Sequence, residues 1–281
     1  MVPELPEVET IRRSLAPVVE GRRVRALEVL DSRWCRPLAP AAMADAVQGR
    51  TIERLERRGK YLVFALGGEI FLVCHLRMTG NFLYDAPATV AYQRAVLTFD
   101  DGHRLRYCDV RRFGTADLLA GEPEREAFFT SRLGVEPLGG GLDGPLLREL
   151  ARGRRAPVKS FLLDQRMVAG IGNIYADEAL YRAGIHPLRP AGRLRPGQYD
   201  RLSEGIAGAL TAGLEAGGAT IDDFRHPDGL YGSFQDEFQV HRRAGEPCSR
   251  CGREIRKFTV GGRGTYACES CQPRPRGPVR R

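Results

Sequence analysis

Four cysteines carry the clearest chemistry in this chain. Cys248 and Cys251 form one Cys-x2-Cys pair, sixteen residues follow, and Cys268 and Cys271 form a second. Each pair can grip an ion from a tight turn, and four thiolates at this spacing suit one tetrahedral zinc better than an iron–sulfur cluster. The segment is too small to build much core, so the ion is expected to supply folding energy as a structural cofactor. Between the pairs lies Gly261-Gly262-Arg263-Gly264-Thr265-Tyr266. It reads as the turn of a β-hairpin with Arg263 at its tip, where a guanidinium can meet a phosphate or enter a groove. A solvated arginine is the plainer alternative.

Two further sets of residues could react. The string Pro3-Glu4-Leu5-Pro6-Glu7-Val8-Glu9 concentrates carboxylates and prolines. Taken alone it is satisfied by a charged helix N-terminus, since prolines and acids suit a first turn, and Glu9 reads as solvated. Lysine is scarce: Lys60, Lys159 and Lys257 are the only three, against a large excess of arginine. That bias needs no functional account, but it singles out each lysine that remains.

The elements that must position these groups follow from spacing. Val8, Ile11, Leu15 and Val18 have a helical period, with Gly21 placed to end the helix and Pro17 expected to kink or shorten it. Short β-branched or aromatic segments then recur at 23–30, 51–57, 61–66, 70–75, 95–99 and 104–109, separated by glycines or Asp-Gly, as in an antiparallel sandwich or barrel. Glycine-rich 133–144 reads as a linker. Helical patterns follow at 145–152, 157–165, 174–183 and 199–214. With 281 residues there is room for two ordinary domains.

Charge is segregated. Residues 242–281 hold 11 basic against 3 acidic side chains, whereas the rest of the chain holds 32 of each. A basic end points to a polyanion partner, although residues 273–281, with three prolines, read as a disordered basic tail. No apolar run of 18 residues exists, and the start MVPELPEVET lacks the order of a signal peptide. Together with an odd number of cysteines, seven, this leads us to expect a cytoplasmic protein, with no membrane partner and no disulfide framework.

Several strings occur in one order: Pro3-Glu4-Leu5-Pro6-Glu7-Val8-Glu9-Thr10, Arg57-Arg58-Gly59-Lys60-Tyr61-Leu62, His75-Leu76-Arg77-Met78-Thr79-Gly80, Asp109-Val110-Arg111-Arg112-Phe113-Gly114-Thr115, Gly170-Ile171-Gly172-Asn173-Ile174-Tyr175-Ala176, and the terminal cysteine module. Together they closely resemble the bacterial formamidopyrimidine-DNA glycosylases, the 8-oxoguanine DNA glycosylases also called MutM, from Pro3 to Gln272. The resemblance implies an α+β chain with an N-terminal β-sandwich, a helix-two-turn-helix domain and a zinc-finger β-hairpin, binding damaged double-stranded DNA in a cleft as a monomer. The expected boundaries are 1–132 for the catalytic domain, 133–144 for the linker, 145–238 for the helical domain and 239–272 for the zinc module.

By the same resemblance the function is base-excision repair: removal of oxidised purines with associated strand cleavage by β,δ-elimination. Pro3 matches the nucleophilic amine, and Glu4 the acid that protonates the opening sugar ring, a task that burial would assist. Lys60 matches a lysine of phosphate or lesion contact and proton transfer, and Arg263 the hairpin arginine linked to δ-elimination. Met78, Arg111 and Phe113 match the side chains that fill the gap left by the flipped base. Arg154, Lys159 and Asn173 match phosphate-holding groups, and His75 is expected to approach a phosphate too. Gly217-Gly218-Ala219-Thr220 and the loop to Phe234 match the region that closes over an everted purine.

The sequence departs from the family twice. Val2 stands between Met1 and Pro3, and a Pro3 nitrogen locked in an amide cannot form the iminium. Initiation at the Val2 codon would free Pro3 after trimming. The alternatives are that Val2 supplies the amine, or that the protein is a catalytically silent, zinc-dependent lesion binder. Secondly, Ala91-Tyr92-Gln93-Arg94 replaces a Lys-His-x-His-like string, so that Tyr92 stands where a DNA-contacting histidine is usual; Tyr92 carries no positive charge at neutral pH, and Arg94 is the candidate to compensate. Oxidised-pyrimidine excision of the endonuclease VIII type is disfavoured by the Pro-Glu-Leu-Pro start and the Met78, Arg111 and Phe113 set.

Overall fold

The computed structural model describes residues 3–220 and 232–275. They form two compact units, residues 3–131 with 216–220 and 232–233, and residues 132–215 with 234–275.

In the first unit, helix α1 (Leu5–Val19) buries Leu5, Val8, Ile11, Leu15 and Val19 on one stripe. Its last turn directs Val19 inward and leaves Val18 half-buried, one residue later than the expected stripe. Pro17 does not shorten the helix: lying in the final turn, it removes only one backbone hydrogen bond. Eight strands follow, β1 (Val24–Val29), β2 (Ile52–Arg58), β3 (Tyr61–Leu66), β4 (Ile70–His75), β5 (Gly80–Tyr84), β6 (Gln93–Phe99), β7 (Arg104–Asp109) and β8 (Thr115–Ala120). They make two antiparallel sheets, ordered β1-β6-β7-β5 and β2-β3-β4-β8. Phe64, Leu72, Phe82, Leu97, Leu105 and Tyr107 join the two sheets in one buried core with the apolar face of α1, the arrangement of a β-sandwich. Helices α2 (Pro40–Val47) and α3 (Glu122–Thr130) complete the unit.

The second unit is built on α4 (Gly144–Leu150), α5 (Val158–Leu163), α6 (Asn173–Ala183) and α7 (Pro196–Glu215), followed by the two-stranded hairpin β9 (Arg256–Val260) and β10 (Arg263–Ala267). The hairpin module shares a small core of Val240, Cys248, Ile255 and Cys268 with Tyr181 of α6. The α+β class thus holds.

Two organisational expectations are corrected. Residues 133–144 are no free linker: the Gly134 amide donates to the Gln165 carbonyl at 2.8 Å and Ala169 donates to Val135 at 2.9 Å, while Leu133 and Leu142 are buried. Among the described residues expected in the helical domain, 216–220 and 232–233 group with the first unit, where the Ala219 amide donates to Glu7 at 2.8 Å. The expected tail beyond residue 275, and Met1 and Val2, lie outside the described residues.

Candidate active site and nucleic-acid interface

Pro3 is buried immediately before α1 and Glu4 is its N-cap residue, only 2% exposed. Glu7, one turn on, holds two backbone amides with one carboxylate: Oε2 accepts from Glu4 N–H and Oε1 from Ala219 N–H, both at 2.8 Å. The same carboxylate thereby fixes the Pro3–Glu4 backbone and the 216–220 segment at Ala219, a pairing of positions far apart in the sequence. Residues 221–231 of the loop expected to close over a purine lie outside the described residues. Its two ends are tied by the Gly232 amide, which donates to Thr220 Oγ1 at 2.7 Å, and by an isolated antiparallel bridge between Ala219 and Ser233.

Glu9 is not solvated. It is 9% exposed and receives the guanidinium groups of Arg12, Arg13 and Arg57 at 2.8, 2.9 and 3.2 Å. Burial alone would raise its pKa, but the three arginines hold it below the usual carboxylate range. Arg57 also donates to the Gly59 carbonyl at 3.1 Å. Glu9 therefore anchors to α1 the tight turn between β2 and β3, which presents Lys60, itself 9% exposed.

His75 closes β4. It is buried, its Nδ1 accepts the Arg77 amide at 3.0 Å, and its ring meets Tyr61 edge-on at 4.7 Å. Burial, with Arg77 and Lys60 beside it, pushes its pKa down to about 3. A neutral, enclosed imidazole brings no charge to a phosphate. Beyond it, Met78 is half-buried after Arg77, whose φ is +56°. Arg111 is exposed and Phe113 is 52% exposed, with the Arg111 guanidinium 4.9 Å from the Phe113 ring centre. Tyr92 is exposed and adopts a φ of +63°, while Arg94 spends its Nε on the Asp109 carbonyl at 2.8 Å.

In the second unit the largest correction concerns Lys159. It is fully buried, so it meets no phosphate; Nζ pairs with Asp177 at 2.7 Å and donates to the Gly264 carbonyl at 3.0 Å and Thr265 Oγ1 at 2.9 Å. Asp177 holds His241 Nδ1 at 2.9 Å on its other oxygen. Asn173, first residue of α6, likewise donates Nδ2 to the Gly264 carbonyl at 3.0 Å. These groups brace β10 beside Arg263, which is exposed. The β9–β10 turn is the two residues Gly261 and Gly262, with φ +55° and +75°, and Arg263 opens the returning strand opposite Val260. Arg154 is exposed, with Nε donating to the Leu150 carbonyl at 2.9 Å. Next to Asp177, the buried Glu178 carboxylate accepts the amides of Gln239, Val240 and His241 within 3.1 Å. Burial raises its pKa, and those three donors oppose the shift. Neither acid drew notice in the sequence, although both directly follow the Gly170–Ala176 string.

The four cysteines converge. Their sulfurs all lie within 4.8 Å of one another, with Cys251–Cys268 at 3.5 Å and Cys248–Cys271 at 3.9 Å. A tetrahedral zinc with sulfurs at about 2.3 Å requires edges of about 3.8 Å, so the donor set fits one such ion. The Tyr181 hydroxyl, 3.2 Å from Cys248 Sγ, supplies a polar neighbour to that thiolate. Cys35, Cys74 and Cys108 are buried and separate from the cluster.

Comparison with known proteins finds similarity along nearly the whole chain. Family models describing the formamidopyrimidine-DNA glycosylase N-terminal domain, its H2TH domain, and a zinc finger found in FPG and IleRS match residues 2–116, 133–225 and 245–274. Relatives include the formamidopyrimidine-DNA glycosylases of Alkalilimnicola ehrlichii, 45% identical over 96% of this chain and 100% of its own, and of Symbiobacterium thermophilum, 45% identical over 98% and 91%. Among solved structures, a mutant of the Lactococcus lactis FPG in complex with a Fapy-dG containing DNA superposes with TM-score 0.90 at 37% identity, over 97% of this chain and 100% of that one. The Lactococcus lactis Fpg complex with an abasic site containing DNA does so with TM-score 0.89 at 37% identity, over 96% and 100%.

Proposed function

The chain belongs to the formamidopyrimidine-DNA glycosylase family, and on that premise we propose that Pro3 and Glu4 form the reacting pair of a DNA glycosylase and abasic-site lyase of base excision repair. The observation that carries the assignment is the placement of both at the buried start of α1, with the Glu4 backbone held by Glu7.

The chemistry follows from the nitrogen. An α-amino group titrates near pH 8, whereas a lysine titrates near 10.4, so a useful fraction of a terminal amine is neutral near pH 7 while a free lysine is almost wholly protonated. In the proposed reaction the Pro3 nitrogen, once terminal, attacks C1′ of the flipped nucleotide. The bond from C1′ to the base breaks and the base leaves with the electron pair. Glu4 delivers a proton to the ring oxygen as the sugar opens, leaving a secondary amine joined to C1′ as an iminium. That cation draws electrons as a proton leaves C2′ and the 3′ phosphate departs, and a second elimination releases the 5′ phosphate. Water then returns Pro3. Lys60 serves proton transfer and Arg263 grips phosphate. Exposed Arg154 and the N-terminal end of α6 at Asn173 are further backbone-binding positions. Met78, Arg111 and Phe113 occupy the vacated stack, and Tyr92 offers a neutral contact where a histidine is usual. The substrate class is oxidised purines, 8-oxoguanine and formamidopyrimidines, in duplex DNA, and the protein acts as a cytoplasmic monomer.

Borohydride trapping tests the nucleophile. Protein made to begin at Pro3 should cleave 8-oxoguanine duplexes and give a reduced adduct mapping to Pro3, whereas protein retaining Val2 should bind the lesion and cut far more slowly. Equal cleavage by both forms with the adduct on Lys60 would overturn the assignment.

A further inference from the structure

Asp109, at the end of β7, is only 1% exposed, yet no step of the reaction uses it. Its carboxylate collects donors from both sides of the exposed β7–β8 loop and from the loop before β5. Oδ2 accepts the Gly114 amide at 2.8 Å and the Tyr107 hydroxyl at 3.4 Å. Oδ1 accepts the Arg111 amide at 3.2 Å and the Thr79 hydroxyl, and the Arg111 amide is shared with Thr79 Oγ1 at 3.0 Å. The backbone of the same residue holds a third loop: its amide donates to the Tyr92 carbonyl at 3.0 Å, and its carbonyl accepts Arg94 Nε at 2.8 Å.

We propose that Asp109 is a positioning residue, whose carboxylate ties the Met78-bearing loop to the Arg111–Phe113 loop and holds them as one wedge for the gap in the duplex. This rests on reading Met78, Arg111 and Phe113 as the gap-filling side chains. Packing around the carboxylate leaves little room for the loop ends to shift. A Cβ added to Gly114 or to Gly80 would collide with the Tyr107 hydroxyl. Between these fixed ends the loop projects Val110, Arg111 and Phe113 into solvent. Entering a stacked duplex pushes back on such side chains, and a loop pinned at both ends resists where a free one folds away. An ionised carboxylate can accept from four donors; an amide offers one oxygen and turns an NH2 group toward the others.

The test is Asp109→Asn in full-length, zinc-loaded protein beginning at Pro3, with Thr79→Val as a milder variant that removes one donor. Single-turnover excision of 8-oxoguanine paired with cytosine should fall about ten- to hundredfold in Asp109→Asn, as expected for one or two lost hydrogen bonds to a charged group, and less in Thr79→Val. Cleavage of an abasic site in single-stranded DNA has no stack to fill and should stay within about twofold of the parent, since no charge-assisted bond is lost from that reaction. A Phe113→Trp reporter reads insertion directly: its emission should change on binding lesion duplex, and Asp109→Asn should abolish that change. If the reporter still inserts in Asp109→Asn, or duplex and single-strand cleavage fall together, the positioning role is overturned while the wedge reading stands. If Phe113→Trp alone shows no lesion-dependent change, the wedge reading fails, and the role given to Asp109 falls with it.

Discussion

His75 and Lys159 show how burial changes what a residue type can do. His75 stays neutral in the folded state down to about pH 3, whereas an unfolded histidine takes up a proton near 6.5. Between those values the unfolded chain binds the additional proton, so stability rises with pH and is lost on acidification, by up to about 1.4 kcal/mol per pH unit. Glu9, whose pKa is lowered, adds stability above its unfolded value that also disappears in acid. His75→Gln, which can still accept the Arg77 amide, should therefore lose about 2 kcal/mol less than the parent between pH 7 and pH 5 in urea unfolding. Identical losses would contradict an enclosed, neutral His75. For Lys159, truncation strands the Asp177 charge in the interior. Lys159→Met should cost about 3–5 kcal/mol in unfolding free energy, and adding Asp177→Asn should recover a substantial part. A loss confined to DNA affinity, with stability unchanged, would instead restore Lys159 to the phosphate. The residue types were legible in the sequence; their partners were not, because Lys159 reaches Gly264 and Thr265 across more than a hundred positions of chain.

Among the elements, those with a clear period were found and those with mixed signals were missed. Strands β3 and β4 match the expected spans because five of six positions in each are buried, which makes unbroken apolar runs. β5 was not expected, since Gly80 and Asn81 interrupt its β-forming residues, nor was β8, whose Thr-Ala-Asp-Leu-Leu-Ala favours helix; cross-strand pairing with β7 and β4 overrides both. Helices α2 and α3 were also missed. Each opens with a proline in its first turn, a signal that suits a turn as well as a helix start. The β9–β10 hairpin was legible because two consecutive glycines suit a two-residue turn with φ positive at both positions. A Cβ on Gly262 meets nothing within 4 Å, so substitution there costs backbone strain alone. Gly262→Val should weaken the module by about 1–2 kcal/mol and reduce duplex affinity, whereas Gly262→Asn, tolerant of this conformation, should stay near the parent. Equal behaviour of the two variants in titrations with a lesion duplex would remove φ as the constraint.

At the scale of the whole molecule, zinc is tied to α6 through the core that Tyr181 shares with Cys248 and Cys268. Cys268→Ser, or chelation of the parent protein, should release the metal, melt the hairpin and weaken binding to any duplex, because Arg263 loses its frame. Unchanged metal content and affinity would be incompatible with a structural ion. The spacing of the cysteines, the segregated positive charge and the ordered motifs were enough to determine the zinc module, the DNA partner and the family, because each is written in residues close together along the chain. Packing decided the rest. Whether a lysine meets phosphate or a buried aspartate, whether Glu9 is solvated or clamped by three arginines, and which loops meet at Asp109 all depend on neighbours supplied from distant positions, and on the water that folding removes from between them.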